Sequence, residues 1–151
     1  VIRTHFESPD GMPIQPAGAN DVEGTVEVDE SYAEGLQDLD GFSHCILLYH
    51  FHAGADIAPL EVEPFLDEET RGIFATRAPQ RPNKIGLSVV EVGSVTDHEL
   101  IVRGIDVVDQ TPLLDIKPFV PDFDVPDNAD TGWINASKST IQSKHADERF
   151  L

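Results

Sequence analysis

Only 10 of the 151 residues are lysine or arginine, against 28 aspartates and glutamates, and cysteine, methionine and tryptophan occur once each. The lone cysteine, Cys45, excludes an internal disulfide, and its place in an apolar run marks it as core filler. No apolar run approaches the roughly 20 residues of a membrane-spanning helix. The longest, Cys45-Ile-Leu-Leu-Tyr49, has the length of a core strand. No two of the eleven glycines stand in a G-x-G. A dinucleotide-binding fingerprint is therefore absent, as is a Walker loop. No secretory leader is visible, and the chain is expected in the cytoplasm.

The formal charge is -18 and the isoelectric point is about 4.4. In dilute salt such self-repulsion works against a compact state. In molar salt the Debye length falls to about 3 Å and the repulsion is largely screened. A heavy excess of aspartate over lysine suits a halophilic host. Under such conditions long-range attraction to phosphate is weak. An RNA partner would then be held by shape, stacking and close hydrogen bonds.

What the chain does contain is alternation. Val22–Val28 reads as a half-exposed strand, and Gly41–His52 as a long strand rich in branched and aromatic residues. Gly72–Arg77 reads as a third strand. Ile85–Val92 and Leu100–Ile105 flank a polar segment like the arms of a hairpin. Thr111–Pro118 reads as a short strand ending at proline, and Ser31–Leu36 as one helical turn capped by Ser31. Prolines and glycines punctuate these runs. The expected fold is all-β, a single domain over 1–151 built as a closed or nearly closed antiparallel barrel. Residues 122–151 would form an acidic, extended or partly helical tail, with one short helix near Ser137–His145.

Four of the ten cations (Arg71, Arg77, Arg81, Lys84) fall between positions 71 and 84. They surround the loop Ala-Thr-Arg77-Ala-Pro-Gln-Arg81-Pro-Asn83-Lys84. An acidic protein that gathers its cations there has a candidate surface for an anion, or simply a solvated loop. Met12-Pro-Ile-Gln-Pro16 holds Gln15 between two prolines, with little freedom left to lose. Asp115 and Lys117 stand two apart, on one face of an extended run. The lysine would keep the carboxylate ionised, able to orient a donor or accept a proton. Alone, such an exposed ion pair contributes little. His44, His50 and His52 share the parity of the long strand. His50 and His52 could supply two metal ligands in a cupin-like barrel, but no further ligand completes a shell and no metal is expected.

Four separated segments, Met12–Pro16, Gly41–His52, Gly72–Ser88 and Thr111–Pro118, resemble in order and spacing the TrmO/TsaA-like family. Its A-T-R…R-P-N-x-I-G and D-I-K-P signatures stand here at 75–86 and 115–118. The resemblance implies a single-sheeted β-barrel and a homodimeric methyltransferase. Its activity would be transfer of a methyl group from S-adenosylmethionine to N6 of threonylcarbamoyladenosine beside the tRNA anticodon. It further implies cofactor binding by Pro13, Ile14, Gln15, His52, Ala53, Arg77, Leu87, Leu113, Leu114, Asp115, Ile116, Lys117 and Pro118. Arg81, Asn83 and Lys84 would be left to meet the tRNA.

Urea-like N6 is a poor nucleophile whose proton a carboxylate could take, and Asp115, oriented by Lys117, is the candidate. Tyr49, Phe74, Phe119 and Trp133 are available for stacking. Three positions depart from the family pattern: Gln110 stands where glycine is usual, Lys84 where proline is usual and Ala78 where serine is usual. The C-terminal extension of bacterial relatives is not expected here. Two other classes remain open: a metal-dependent barrel enzyme using His50 and His52, and a module that binds adenosylmethionine or RNA without turnover.

Overall fold

The structure, a computed structural model, describes residues 1–19, 21–54, 56–147 and 150. Eight strands form: β1 Ile2–Arg3, β2 Glu23–Glu27, β3 His44–His50, β4 Glu61–Val62, β5 Arg71–Gly72, β6 Ile85–Thr96, β7 Glu99–Arg103 and β8 Leu113–Pro118. Six make one antiparallel sheet in the order β1-β2-β7-β6-β3-β8, and β4 with β5 makes a separate small ladder. Among the described residues the helical elements are α1 Pro121–Asp124, α2 Lys138–Ser143 and four short 3-10 turns. The fold is thus mostly sheet, as the alternation requires.

Period two decides what is buried. Cys45, Leu47 and Tyr49 of β3 point inward, while His44, Ile46, Leu48 and His50 face the other way. Gly86, Ser88 and Val90 of β6 and Leu100 and Val102 of β7 join the inner face. With Ile2, Val26, Leu36, Leu39, Ile105 and Val107 they enclose the main core. Burial of each large aliphatic side chain there stabilises the fold by about 1.5–3 kcal/mol. Cys45 is wholly buried, and burial pushes its thiol up to about 12, as befits packing rather than reactivity.

Several expectations need correcting. The sheet is not closed into a barrel: β1 and β8 end it, and a single bridge, Ile2 to Thr111, spans between the first strand and the residues entering β8. Gly72–Arg77 is not a strand. Only Arg71–Gly72 pairs, and Ile73–Ala75 turns as a 3-10 helix. The Thr76 hydroxyl donates to Ile73 O at 2.9 Å, so a local side-chain bond replaces a ladder bond. The turn at Glu30–Leu36 is 3-10, and its cap is Asp29, whose carboxylate accepts from the Ser31 amide at 2.9 Å and hydroxyl at 2.6 Å. The polar stretch after Val92 is strand too; the turn shrinks to Asp97-His98, with Asp97 in the left-handed region. β3 ends at His50, so His52 lies beyond the strand rather than on its face.

The tail carries α2 and is also a strap. Ser137 caps α2 by accepting from the Thr140 amide at 3.2 Å. Beyond α2 the chain runs back along residues 11–14. Gly11 N–H donates to Ala146 O at 3.1 Å, Ala146 N–H donates to Met12 O at 2.7 Å, and Pro13 bridges to His145. Phe150 completes a second core with Val62, Ile73 and Ala78, its ring edge-on to Phe65 at 4.9 Å. The tail's last residues, 148, 149 and 151, lie outside the described residues.

Candidate active-site cleft

Several loops, the C-terminal tail and β6 surround a cleft of about 1200 Å³. Its walls are largely apolar, with Phe51, Phe65, Leu87 and Val107 among them. The polar groups are few, and Gln15, His52, Arg77 and Asp106 lead them. A concave, apolar space with a handful of convergent polar groups is the general form of a small-molecule site.

Each loop is built by its own local chemistry. Pro16 starts a 3-10 turn to Gly18, which presents Gln15 while the strap behind it fixes Met12 and Pro13. A β-carbon at Gly18 would stand 2.8 Å from Gln142 O, so the strap and this loop pack backbone to backbone. The loop after β5 is tied by Arg81, whose guanidinium donates to Thr76 O at 3.0 Å and Ala78 O at 3.3 Å. Trp133 of the tail donates its indole N–H to Ala75 O at 2.8 Å, and Arg71 lies over its ring at 5.6 Å. Between these anchors Arg77 is exposed and reaches Gln15 Oε1 at 3.5 Å, which puts a cation and an amide at the mouth of the cleft.

The residues carried over from the family resemblance divide in two. Pro13, Ile14, Gln15, His52, Ala53, Arg77 and Leu87 all line the cleft. Leu113, Leu114, Asp115, Ile116, Lys117 and Pro118 do not. They form β8, an edge strand, where Leu113 and Ile116 pack on the core and exposed Leu114 is the extra residue of a bulge in β8 itself. Asp115 is paired with Lys117 at 2.7 Å, which lowers its pKa and makes it a weak proton acceptor.

The basic loop is also divided. Arg81 braces its own backbone, Lys84 is mostly covered and donates to Asp56 at 2.9 Å, and Arg71 pairs with Asp67 at 2.5 Å and Glu69 at 2.7 Å. Arg77 and Asn83 are the exposed members, with Phe74 beside them at 77% exposure and lining the cleft. Two departures from the family pattern sit at left-handed backbone: Gln110 at φ 63° and Lys84 at φ 46°. Glycine takes such angles freely, so the turn before Thr111 is kept at a conformational cost. Proline is locked near -65°, so the bend at Lys84 is one a proline could not make. Ala78 is buried in the second core, where its small apolar side chain packs.

The histidines do not converge. His50 sits within β3, His52 Nδ1 lies 3.5 Å from the Thr111 hydroxyl, and His44 meets the Ser43 hydroxyl at 2.9 Å. Among the described residues no group of three or more His, Cys, Asp or Glu is placed to hold a metal.

Tyr49, a sequence candidate for stacking, is instead buried in the core beside the cleft. The Tyr49 hydroxyl lies 2.9 Å from Ser88 Oγ, and Ser88 donates to Asp106 Oδ1 at 2.5 Å. Burial raises Asp106 to about 6, opposed by the Ser88 hydrogen bond and the charge of Arg77; burial also raises Tyr49. In the sequence these are polar residues inside apolar runs, Leu-Ser-Val and Ile-Asp-Val. That anomaly is the signal that could have singled them out.

A small open-sheet protein with one large, apolar, loop-walled cleft and a cation at its mouth is a small-molecule-binding protein by architecture. The family model for the tRNA-methyltransferase O N-terminal domain matches residues 1–125, and the chain belongs to that family. A probable S-adenosyl-L-methionine-binding protein of Pyrococcus abyssi is 48% identical over all 151 residues, which cover 82% of it. A mouse tRNA (adenine(37)-N6)-methyltransferase is 33% identical over 133 residues, 84% of this chain and 31% of the mouse protein. The crystal structure of TrmO from Pseudomonas aeruginosa superposes with a TM-score of 0.72 at 37% identity, covering 87% of this chain and 58% of that one. The chain therefore spans little more than half the length of its bacterial structural relative.

Proposed function

We propose that the protein is an S-adenosylmethionine-dependent methyltransferase whose acceptor is N6 of a threonylcarbamoyl-modified adenosine in a tRNA anticodon loop. The carrying observation is that seven residues carried over as cofactor contacts, scattered from Pro13 to Leu87, come together around one cleft. At about 1200 Å³ the cleft exceeds the 300–1,000 Å³ of a typical ligand pocket, leaving room for a donor and an extruded base together.

The donor set fits the cofactor. Phe51, Phe65 and Leu87 offer apolar walls to an adenine ring, and Arg77 with Gln15 offers donors to an amino-acid carboxylate. Adenosylmethionine, when bound, supplies an electrophilic methyl group and leaves as a neutral thioether. The residues of the chain align the acceptor and exclude water, which can account for most of the rate of an in-line displacement. Phe74, exposed at the mouth, is the stacking platform for the flipped base, with Arg77 and Asn83 toward the RNA backbone and Arg81 and Lys84 shaping the loop.

A homodimer accounts for the residues that stay outside. β8 is an unpaired edge carrying exposed Leu114 and the Asp115–Lys117 pair, and Ile85 and Leu87 of β6 are 46% and 40% exposed. In a dimer β8 of one copy would border the cleft of the other, as a cofactor contact rather than as a base. The acidic surface fits a salt-rich cytoplasm, and no helix among the described residues is long and apolar enough to cross a membrane.

The test combines calorimetry with adenosylmethionine and labelled methyl transfer into tRNA from cells lacking the modification enzyme, in molar potassium chloride. Uptake of the cofactor with methylation of the anticodon-loop adenosine is expected. Uptake without transfer would favour a binding module, in keeping with the name of the Pyrococcus abyssi relative. No uptake would overturn the proposal.

A further inference from the structure

We infer that Asp106 is the catalytic residue that accepts the N6 proton during methyl transfer, held ready by the chain Tyr49–Ser88–Asp106. The inference rests on the substrate reading above and assigns the proton, which that reading leaves without a destination.

The three carboxylates lining the cleft, among the described residues, are Glu91, Asp106 and Asp147. Glu91 is an exposed rim residue within 3.6 Å of Arg103, and Asp147 is exposed in the tail. Asp106 lies deeper, with its carboxyl held above its ordinary range by burial and its Oδ1 bonded to Ser88. The directions of the bonds are fixed by chemistry. An ionised carboxylate only accepts, so Ser88 donates to Asp106 and accepts in turn from the Tyr49 hydroxyl. Both hydroxyls thus point their protons toward the carboxylate and orient it without neutralising it. The groups that face it are Ser88 from β6, Tyr49 from β3 and, through space, the Arg77 guanidinium from the loop after β5. Of these Arg77 carries charge, and its attraction keeps the half-buried carboxylate from drifting higher.

The step balances. A bond forms from N6 to the methyl carbon as the sulfur–methyl bond breaks, and that bonding pair returns to sulfur. The N6 proton passes to Asp106, which becomes a neutral acid. Since the group titrates near 6, it is ionised at neutral pH yet basic enough to help, the condition for an efficient acceptor.

The experiment follows the Asp106 carboxyl by carbon-13 NMR in the full chain and measures single-turnover methyl transfer across pH. In the unaltered protein the carboxyl midpoint and the rise in rate should coincide near 6. Asp106→Asn should lower the rate about 100-fold and flatten its pH profile, with adenosylmethionine affinity by calorimetry within about twofold. Ser88→Ala removes a bond that holds the pKa down, so both midpoints should move up together. Should Asp106→Asn fail to fold, Ser88→Ala decides: midpoints that stay in place overturn the inference. An Asp106→Asn protein with wild-type rate overturns it as well. No transfer by the unaltered protein would sink the substrate reading and this inference with it, whereas transfer that survives Asp106→Asn sinks this inference alone.

Discussion

Tyr49 and Gly86 face each other across the β3–β6 ladder, and the tyrosine ring occupies the space where a β-carbon of residue 86 would be. The same β-carbon would stand 2.8 Å from Cζ of Phe51, whose ring meets Tyr49 edge-on at 5.5 Å. This close approach lets the Tyr49 hydroxyl reach Ser88, so a glycine on one strand sets the hydrogen-bond chain that ends in the cleft.

Gly86→Ala should therefore destabilise the fold by about 1–3 kcal/mol, because the aromatic pair must leave its place. Gly41→Ala, where nothing lies within 4 Å, is the control and should change stability little. Denaturant midpoints of the two variants compare them directly.

Asp106 should make stability depend on pH in the direction opposite to acid denaturation. Its folded value near 6 lies above the ordinary 3.8, so the folded chain holds a proton that the unfolded chain releases. The resulting stability is complete below about 4 and is lost as pH rises through 6, a swing of about 3 kcal/mol. Urea titrations at pH 4 and 7 should show that swing as the difference between the unaltered protein and Asp106→Asn, which cancels the shared contribution of the paired surface carboxylates.

Gln110 holds a left-handed turn without being glycine. Gln110→Gly should raise stability by up to about 1 kcal/mol, the relief of backbone strain exceeding the entropy glycine adds to the unfolded chain. A fall in the thermal midpoint would mean that the Gln110 side chain, 3.2 Å from Asp109, stabilises the turn more than its backbone strains it.

The strap behind Met12 and Pro13 gives a prediction for binding. Ala146→Pro deletes the N–H that donates to Met12 O, so the loop bearing Gln15 should loosen. Adenosylmethionine affinity is expected to fall about tenfold by calorimetry, a loss of about 1.4 kcal/mol. Unaltered affinity would show that the loop holds its shape without the tail.

Salt should stabilise the protein. With a formal charge of -18 the folded chain repels itself, and molar potassium chloride screens that repulsion. The thermal midpoint should climb steadily from 0.1 to about 2 M salt, where the Debye length is below about 3 Å.

Much of the sheet can be read from residue order alone, because alternation is a local property. Glu23–Glu27 and His44–His50 lie inside runs whose apolar parity already chooses the buried face, and the hairpin arms overlap theirs; in Leu113–Pro118 the bulge breaks that parity, so Leu113 and Ile116 both reach the core. The motifs at 13–15, 75–86 and 115–118 likewise suffice to place the chain in its family. Gly72–Arg77 misleads because its branched and aromatic content suits a strand, yet its pairing with β4 stops at Gly72 and Thr76 bonds its own turn.

The tertiary structure decided which side chains share a space, since that depends on contacts distant in sequence. It separated Asp115 from the cleft that holds Gln15 and Arg77, and tied Arg81 and Lys84 to the protein itself. It also brought Asp106 to Ser88 and Tyr49, 18 and 39 positions being closed between successive members. Residue order sets the character of each strand and loop through their local geometry. Register and burial, which are summed over the whole sheet, decide which carboxylate loses its water and so which one can take a proton.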